Sequence, residues 1–204
     1  SNGLCSLRPH EDKLTRFAVL TFNAKGQRTG QRFGAGVIRS ARRYSYEEAM
    51  ASMKNPDVGD PDSDLLQRAW KLASMMRKRR YQNGALDLEF PEIKIILDEK
   101  GVPVRLATIK YDESHQLIEE FMLAANEAVA HLTRTQKLPS LYRAHDDPDA
   151  ERLGEFRLLL ENFKIQVGDL SHRKEVTRLL KILADHPQGY TLRTQLLRSL
   201  QKAV

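Results

Sequence analysis

Between residues 112 and 136 apolar side chains recur at helical spacing. Leu117, Ile118, Phe121, Met122, Ala125, Ala128, Val129 and Leu132 form one stripe, which predicts the longest helix of the chain with that stripe buried. At about 100° per residue, His115, Glu119 and Asn126 fall within about 40° of one another. They make a polar stripe at the margin of the apolar one, interrupted by Met122 and Leu123. Polar residues in such a place either satisfy neighbouring backbone groups or line a cleft. The residues alone leave both readings open.

The remaining segments arrange themselves around this helix. Residues 14–22, with Phe17, Val19 and Phe22, predict a strand. Asn23 to Gly26 supplies turn chemistry. Residues 31–39 predict the other arm of a hairpin, although Gly34 and Gly36 weaken it. Ser45 and Glu48 form a capping box that starts a short helix, and the prolines and glycine of residues 55–62 end it. Residues 64–81 predict a second helix, loaded in its last turn with Arg77, Lys78, Arg79 and Arg80 and stopped by Asn83-Gly84. Residues 93–97 and 102–109 predict strands. Residues 140–144 predict a short extended piece. Pro148, with Asp147 as N-cap, opens a helix to about Phe163. Two more helices follow over 171–184 and 191–203. A strand-rich first half (1–110) and a helix-rich second half (111–204) predict one α+β unit, a mixed sheet packed with several helices.

Composition narrows the function classes. With 41% hydrophobic and 29% charged residues, the 204-residue chain can build a core. Its apolar runs are too short to span a membrane, and no secretory signal opens it. One cysteine, Cys5, excludes a disulfide framework and fits a reducing compartment, so a cytoplasmic location is expected. The net charge of +6 is compatible with a polyanionic partner and does not by itself require one. Asp60, Asp62 and Asp64 alternate as in a calcium loop, but Leu65 and Lys71 stand where glycine and a bidentate glutamate belong. A loop and helix cap account for these acids. His145 beside Asp146 and Asp147 reads as another cap. No Walker loop, dinucleotide fingerprint, HExxH or nucleophile elbow is present. The run Arg77 to Arg80 reads as a solvated face.

Four blocks carry a resemblance: SNGLCSLRPHEDK (1–13), GALDLEFPEIKIILDEKGVPV (84–104), SHQLIEEFMLAANEAVA (114–130) with LPSLYRAHDDP (138–148), and LLRSLQKAV (196–204). In this order they resemble the catalytic domain of the ribonuclease II and ribonuclease R family, the RNB exoribonucleases. The resemblance implies a hydrolytic 3′-to-5′ exoribonuclease that threads single-stranded RNA into a channel. It also implies magnesium and release of 5′-mononucleotides. It implies that the magnesium-binding aspartates and the catalytic arginine of a SPIRRYPD-like motif lie outside these residues. The segment is thus expected to be a partial RNB domain, inactive alone, with no metal ligands of its own. Glu119 matches a family acid in the active-site cavity that contacts the substrate end, so it is the candidate catalytic residue. His115 and Asn126 are candidate RNA contacts beside it. Leu88 matches a position where some members carry a base-clamping phenylalanine; leucine offers apolar contact without π-stacking. Arg143 and His145 lie in a family-like segment without an assigned role. The alternative is a non-enzymatic RNA-binding or scaffold protein on a degenerate RNB core.

Overall fold

The computed structural model describes residues 3–86, 93–108, 111–144 and 146–200. The chain divides into two compact units: Ser1–Arg79 with Lys94–Pro139, and Arg80–Ile93 with Ser140–Val204. Leu88, His145 and the end of the last predicted helix lie outside the described residues.

The first unit opens with an antiparallel hairpin, β1 (Asp12–Phe22) and β2 (Arg28–Arg39). Its register runs from Asp12↔Arg39 to Thr21↔Gly30, with a bulge before Phe22↔Arg28. Asn23 closes the turn: its Oδ1 accepts from the amides of Lys25 (2.9 Å) and Gln27 (3.0 Å). Gly26 sits there at φ +68°, and a Cβ on it would lie 3.1 Å from Met75 Cγ. The glycines that weaken the β2 prediction have a packing reason. The Phe17 ring lies across the opposite strand, and a Cβ on Gly34 would sit 2.5 Å from Phe17 Cζ.

Capping chemistry sets the helix starts. Helix α1 (Tyr46–Lys54) opens on the predicted capping box, with Glu48 N donating to Ser45 Oγ and Ser45 N to Glu48 Oε2. Helix α2 (Pro61–Gln82) begins three residues earlier than its apolar pattern suggests. Asp60 accepts from the amides of Asp62 and Ser63, and Pro61 takes the first helical position. These acids are therefore a helix cap. Strands β3 (Ile93–Leu97) and β4 (Pro103–Thr108) form a separate two-stranded sheet. Asp98 Oδ1 holds its turn by accepting from the amides of Lys100 and Val102.

Helix α3 (Glu113–Thr135) packs against α1 and β1. Its buried face differs from the predicted stripe. Leu117 and Ala128 are buried as expected, but Ile118, Met122 and Val129 are 44%, 59% and 46% exposed. Ser114 and Glu120 are buried instead. The physical reason is ionic: Arg77 of α2 lies 3.7 Å from Glu120 and lets a carboxylate face inward.

In the second unit α6 (Gly189–Ser199) packs on α4 (Ala150–Asn162) and α5 (Arg173–Ala184). Val176, Leu179, Leu180 and Leu183 on α5 meet Leu160 of α4 and Leu192 and Leu196 of α6. Each buried leucine contributes roughly 1.5–3 kcal/mol. Helix α4 starts at Ala150, after the predicted Pro148, because Asp149 is the residue whose carboxylate accepts from Glu151 N. Residues 140–144 carry neither helix nor strand. In the first turn of α5, Glu175 Oε1 accepts from Gly168 N at 2.6 Å and from Arg178 at 2.5 Å. The Arg178 guanidinium and then the Gly168 amide hold the Glu175 carboxyl down at about 2. The architecture is α+β, with its strands in two small sheets and its helices in both units.

Candidate functional site

The residues around Glu119 come from three elements of the first unit. Asp112 caps α3, its Oδ1 accepting from Ser114 N (3.1 Å) and Ser114 Oγ (2.6 Å). The same oxygen lies 2.9 Å from His115 Nδ1. Burial pushes the Asp112 carboxyl up, but the hydrogen bonds from Ser114 and His115 outweigh it and hold the group below its ordinary value. With Asp112 as acceptor, the proton of a neutral His115 sits on Nδ1 and Nε2 presents a lone pair. Tyr46, the first residue of α1, stacks on the His115 ring at 3.8 Å between centroids and 13° between planes. Tyr111, just ahead of the cap, is the other neighbour of the His115 ring, tilted at 5.4 Å between centroids.

One helical turn beyond His115, Glu119 receives two donors on one oxygen. Tyr111 Oη donates to Oε2 at 2.6 Å, and Arg77 Nη1 donates to it at 3.2 Å. Arg77 is 15% exposed and Glu119 34%. A carboxylate pinned this way keeps one rotamer and stays accessible. It can accept hydrogen bonds from hydroxyl groups, and its charge disfavours close approach of a phosphate.

The structure thus brings His115 and Glu119 together through Tyr111. Asn126 is exposed and stands seven residues beyond Glu119, about 10 Å along the helix axis. The sequence reading missed Tyr46, Tyr111, Glu120 and Arg77. The capping box did place Tyr46 at the start of α1. Nothing in the run Arg77 to Arg80 distinguishes its first member, which faces α3 rather than solvent. Among the described residues no three His, Cys, Asp or Glu side chains converge as metal ligands. Nor is any described helix long and apolar enough to cross a membrane.

Compared with known families, residues 1–204 match the RNB domain over their whole length. The chain belongs to the RNB domain family. The RNB segment is 34% identical to Ribonuclease R of Thermotoga maritima over 211 aligned residues, covering 100% of this chain and 30% of that protein. It is 31% identical to Ribonuclease R of Escherichia coli K12, covering 100% and 26%. It therefore spans less than a third of these relatives' length. The RNB architecture also matches solved structures. Mycoplasma genitalium RNase R in complex with ribose methylated single-stranded RNA superposes with a TM-score of 0.90 at 25% identity, over 100% of this chain and 33% of that one. Yeast Ssd1, a pseudonuclease, shares the fold at a TM-score of 0.67 and 16% identity, over 97% and 24%. A shared fold does not by itself establish an activity.

Proposed function

We propose that this RNB segment is part of a cytoplasmic hydrolytic 3′-to-5′ exoribonuclease that degrades single-stranded RNA to 5′-mononucleotides, and that Glu119 acts at the reacting end. The observation that carries this reading is the likeness, over the whole chain, to an RNase R structure in complex with single-stranded RNA. In the proposed reaction water attacks the phosphorus of the last phosphodiester. The P–O3′ bond breaks, and the departing O3′ of the penultimate residue takes a proton. A carboxylate beside a terminal nucleotide accepts hydrogen bonds from ribose hydroxyls, which Glu119 is oriented to do by Tyr111 and Arg77. His115, Leu88 and Asn126 are proposed RNA contacts. Magnesium, which the family resemblance implies, finds no group of three or more His, Cys, Asp or Glu ligands among the described residues.

The test is to incubate uniformly labelled poly(A) and magnesium with the full-length protein that carries this segment, and separately with the 204-residue chain. The full-length protein is expected to release mononucleotides processively and the segment alone to release none. Hydrolysis by the segment, free of contaminating nuclease, overturns the assignment of the metal site to other residues. RNA binding without hydrolysis by the full-length protein returns the non-enzymatic scaffold.

A further inference from the structure

The chain's positive charge is concentrated in one place. Between Arg8 and Arg43 there are nine Lys and Arg residues and two acids, Glu11 and Asp12, a net +7 against +6 for the whole chain. The rest of the sequence is therefore close to neutral. Both acids are engaged: Glu11 with Lys13 at 2.7 Å and Asp12 with Arg39 at 2.7 Å. The lysine hydrogen bond holds the Glu11 carboxyl below its ordinary value. The hairpin thus has no acid left over to neutralise Arg16, Arg28 and Arg32.

The hairpin also presents an aromatic face. Phe17 is paired with Gly34, and with no side chain beneath it the ring lies across β2 and stays 37% exposed. Arg32 follows on the same face, opposite Val19, its guanidinium 5.8 Å from the Phe17 ring centroid. Arg16, paired with Ala35, and Arg28, paired with Phe22, project from the other face of the ribbon, and Arg16, Arg32 and Arg28 stand at the levels of residues 16, 19 and 22 of β1. Each step is about 10 Å at ~3.3 Å per residue. The buried Gly26 turn seated on Met75 fixes the tip of the ribbon.

An exposed ring with one guanidinium beside it and two on the opposite face of a narrow ribbon suits a single strand that wraps the ribbon, whose phosphates need cations and whose unpaired bases need a stacking face. We propose that the β1–β2 hairpin is a second RNA-binding surface, separate from the Glu119 cluster. Phe17 stacks a base, and Arg16, Arg28 and Arg32 meet the phosphates. This inference rests on the reading of the chain as one that handles RNA.

The test measures binding of the 204-residue protein to a ribose-methylated 20-nucleotide single strand as salt is varied. Loss of three phosphate contacts in R16Q/R28Q/R32Q should lower the slope of log K against log salt by about 2 and weaken binding about 100-fold at ~0.1 M salt. Phe17→Leu keeps an apolar cover over Gly34, and should weaken binding about tenfold with no change in slope. R152Q/K181Q/R198Q, exposed in the second unit, should bind as the unaltered protein does. If the triple variant loses its folded circular dichroism signal, single variants carry the test, each lowering the slope by about 0.7. An unchanged slope in the hairpin arginine variants overturns the proposal, as does an equal loss in the second-unit control. Because the readout is binding, failure of the hydrolysis assay leaves this result standing, and failure here leaves the hydrolysis assay standing.

Discussion

Tyr111 Oη donates to Glu119 Oε2 at 2.6 Å, across eight residues and the N-cap of α3. Arg77 Nη1 reaches the same oxygen from α2, so the carboxylate is fixed from two directions while the helix fixes its backbone. Arg77 also lies within ion-pair range of buried Glu120. One cation therefore couples an interior carboxylate to an accessible one. Displacing Arg77 would disturb the packing of α3 and the orientation of Glu119 together.

Glu119→Ala in the full-length protein should reduce the single-turnover rate by on the order of 100-fold and leave the affinity for long RNA nearly unchanged. An interaction made mainly with the reacting end acts on the transition state and adds little to binding along the strand. Single-turnover kinetics with a filter-binding control check this. An unchanged rate removes Glu119 from the reaction.

Tyr111→Phe keeps the ring beside His115 and deletes the donor to Glu119. The expected effect is a roughly 3- to 10-fold fall in kcat with KM changed less, since one partly exposed hydrogen bond to a charged group contributes about 1 kcal/mol. Steady-state kinetics separate the two parameters. A change confined to KM would make Tyr111 a substrate contact in its own right.

The Glu175 carboxyl should titrate near 2, well below an ordinary glutamate value of 4.5. Its folded value is depressed, so its contribution to stability is complete above about 4.5 and is lost as pH falls toward about 2. A carbon-13 carboxyl titration by NMR reads the midpoint directly. Arg178→Ala should move it up toward the ordinary value, because the guanidinium is the largest cause of the depression. A midpoint near 4.5 in the unaltered protein would refute the contacts of Glu175 with Arg178 and Gly168.

Leu179→Ala should destabilise the second unit by roughly 2–5 kcal/mol, the usual range for a cavity in a packed core. Leu179 is fully buried among α4, α5 and α6. Denaturant unfolding checks the value. A loss below about 1 kcal/mol would mean that the unit collapses around the gap.

The sequence by itself determined what is local. The Ser45–Glu48 box and the turn at Asn23 to Gly26 depend on neighbours within a few residues, and the structure contains both of them. The family blocks were likewise legible, because they are contiguous. What faces inward on α3 was decided elsewhere. Glu119 and Glu120 are adjacent and chemically identical, yet one remains accessible and the other is buried, because Arg77 arrives from 42 residues away. The Tyr46–His115 stack joins residues 69 positions apart, and Phe17 covers Gly34 only because the hairpin register sets them opposite each other. Periodicity ranks side chains by their own hydrophobicity, and a carboxylate reads as surface on that scale. Only the tertiary fold supplies the cation that offsets the cost of burying it.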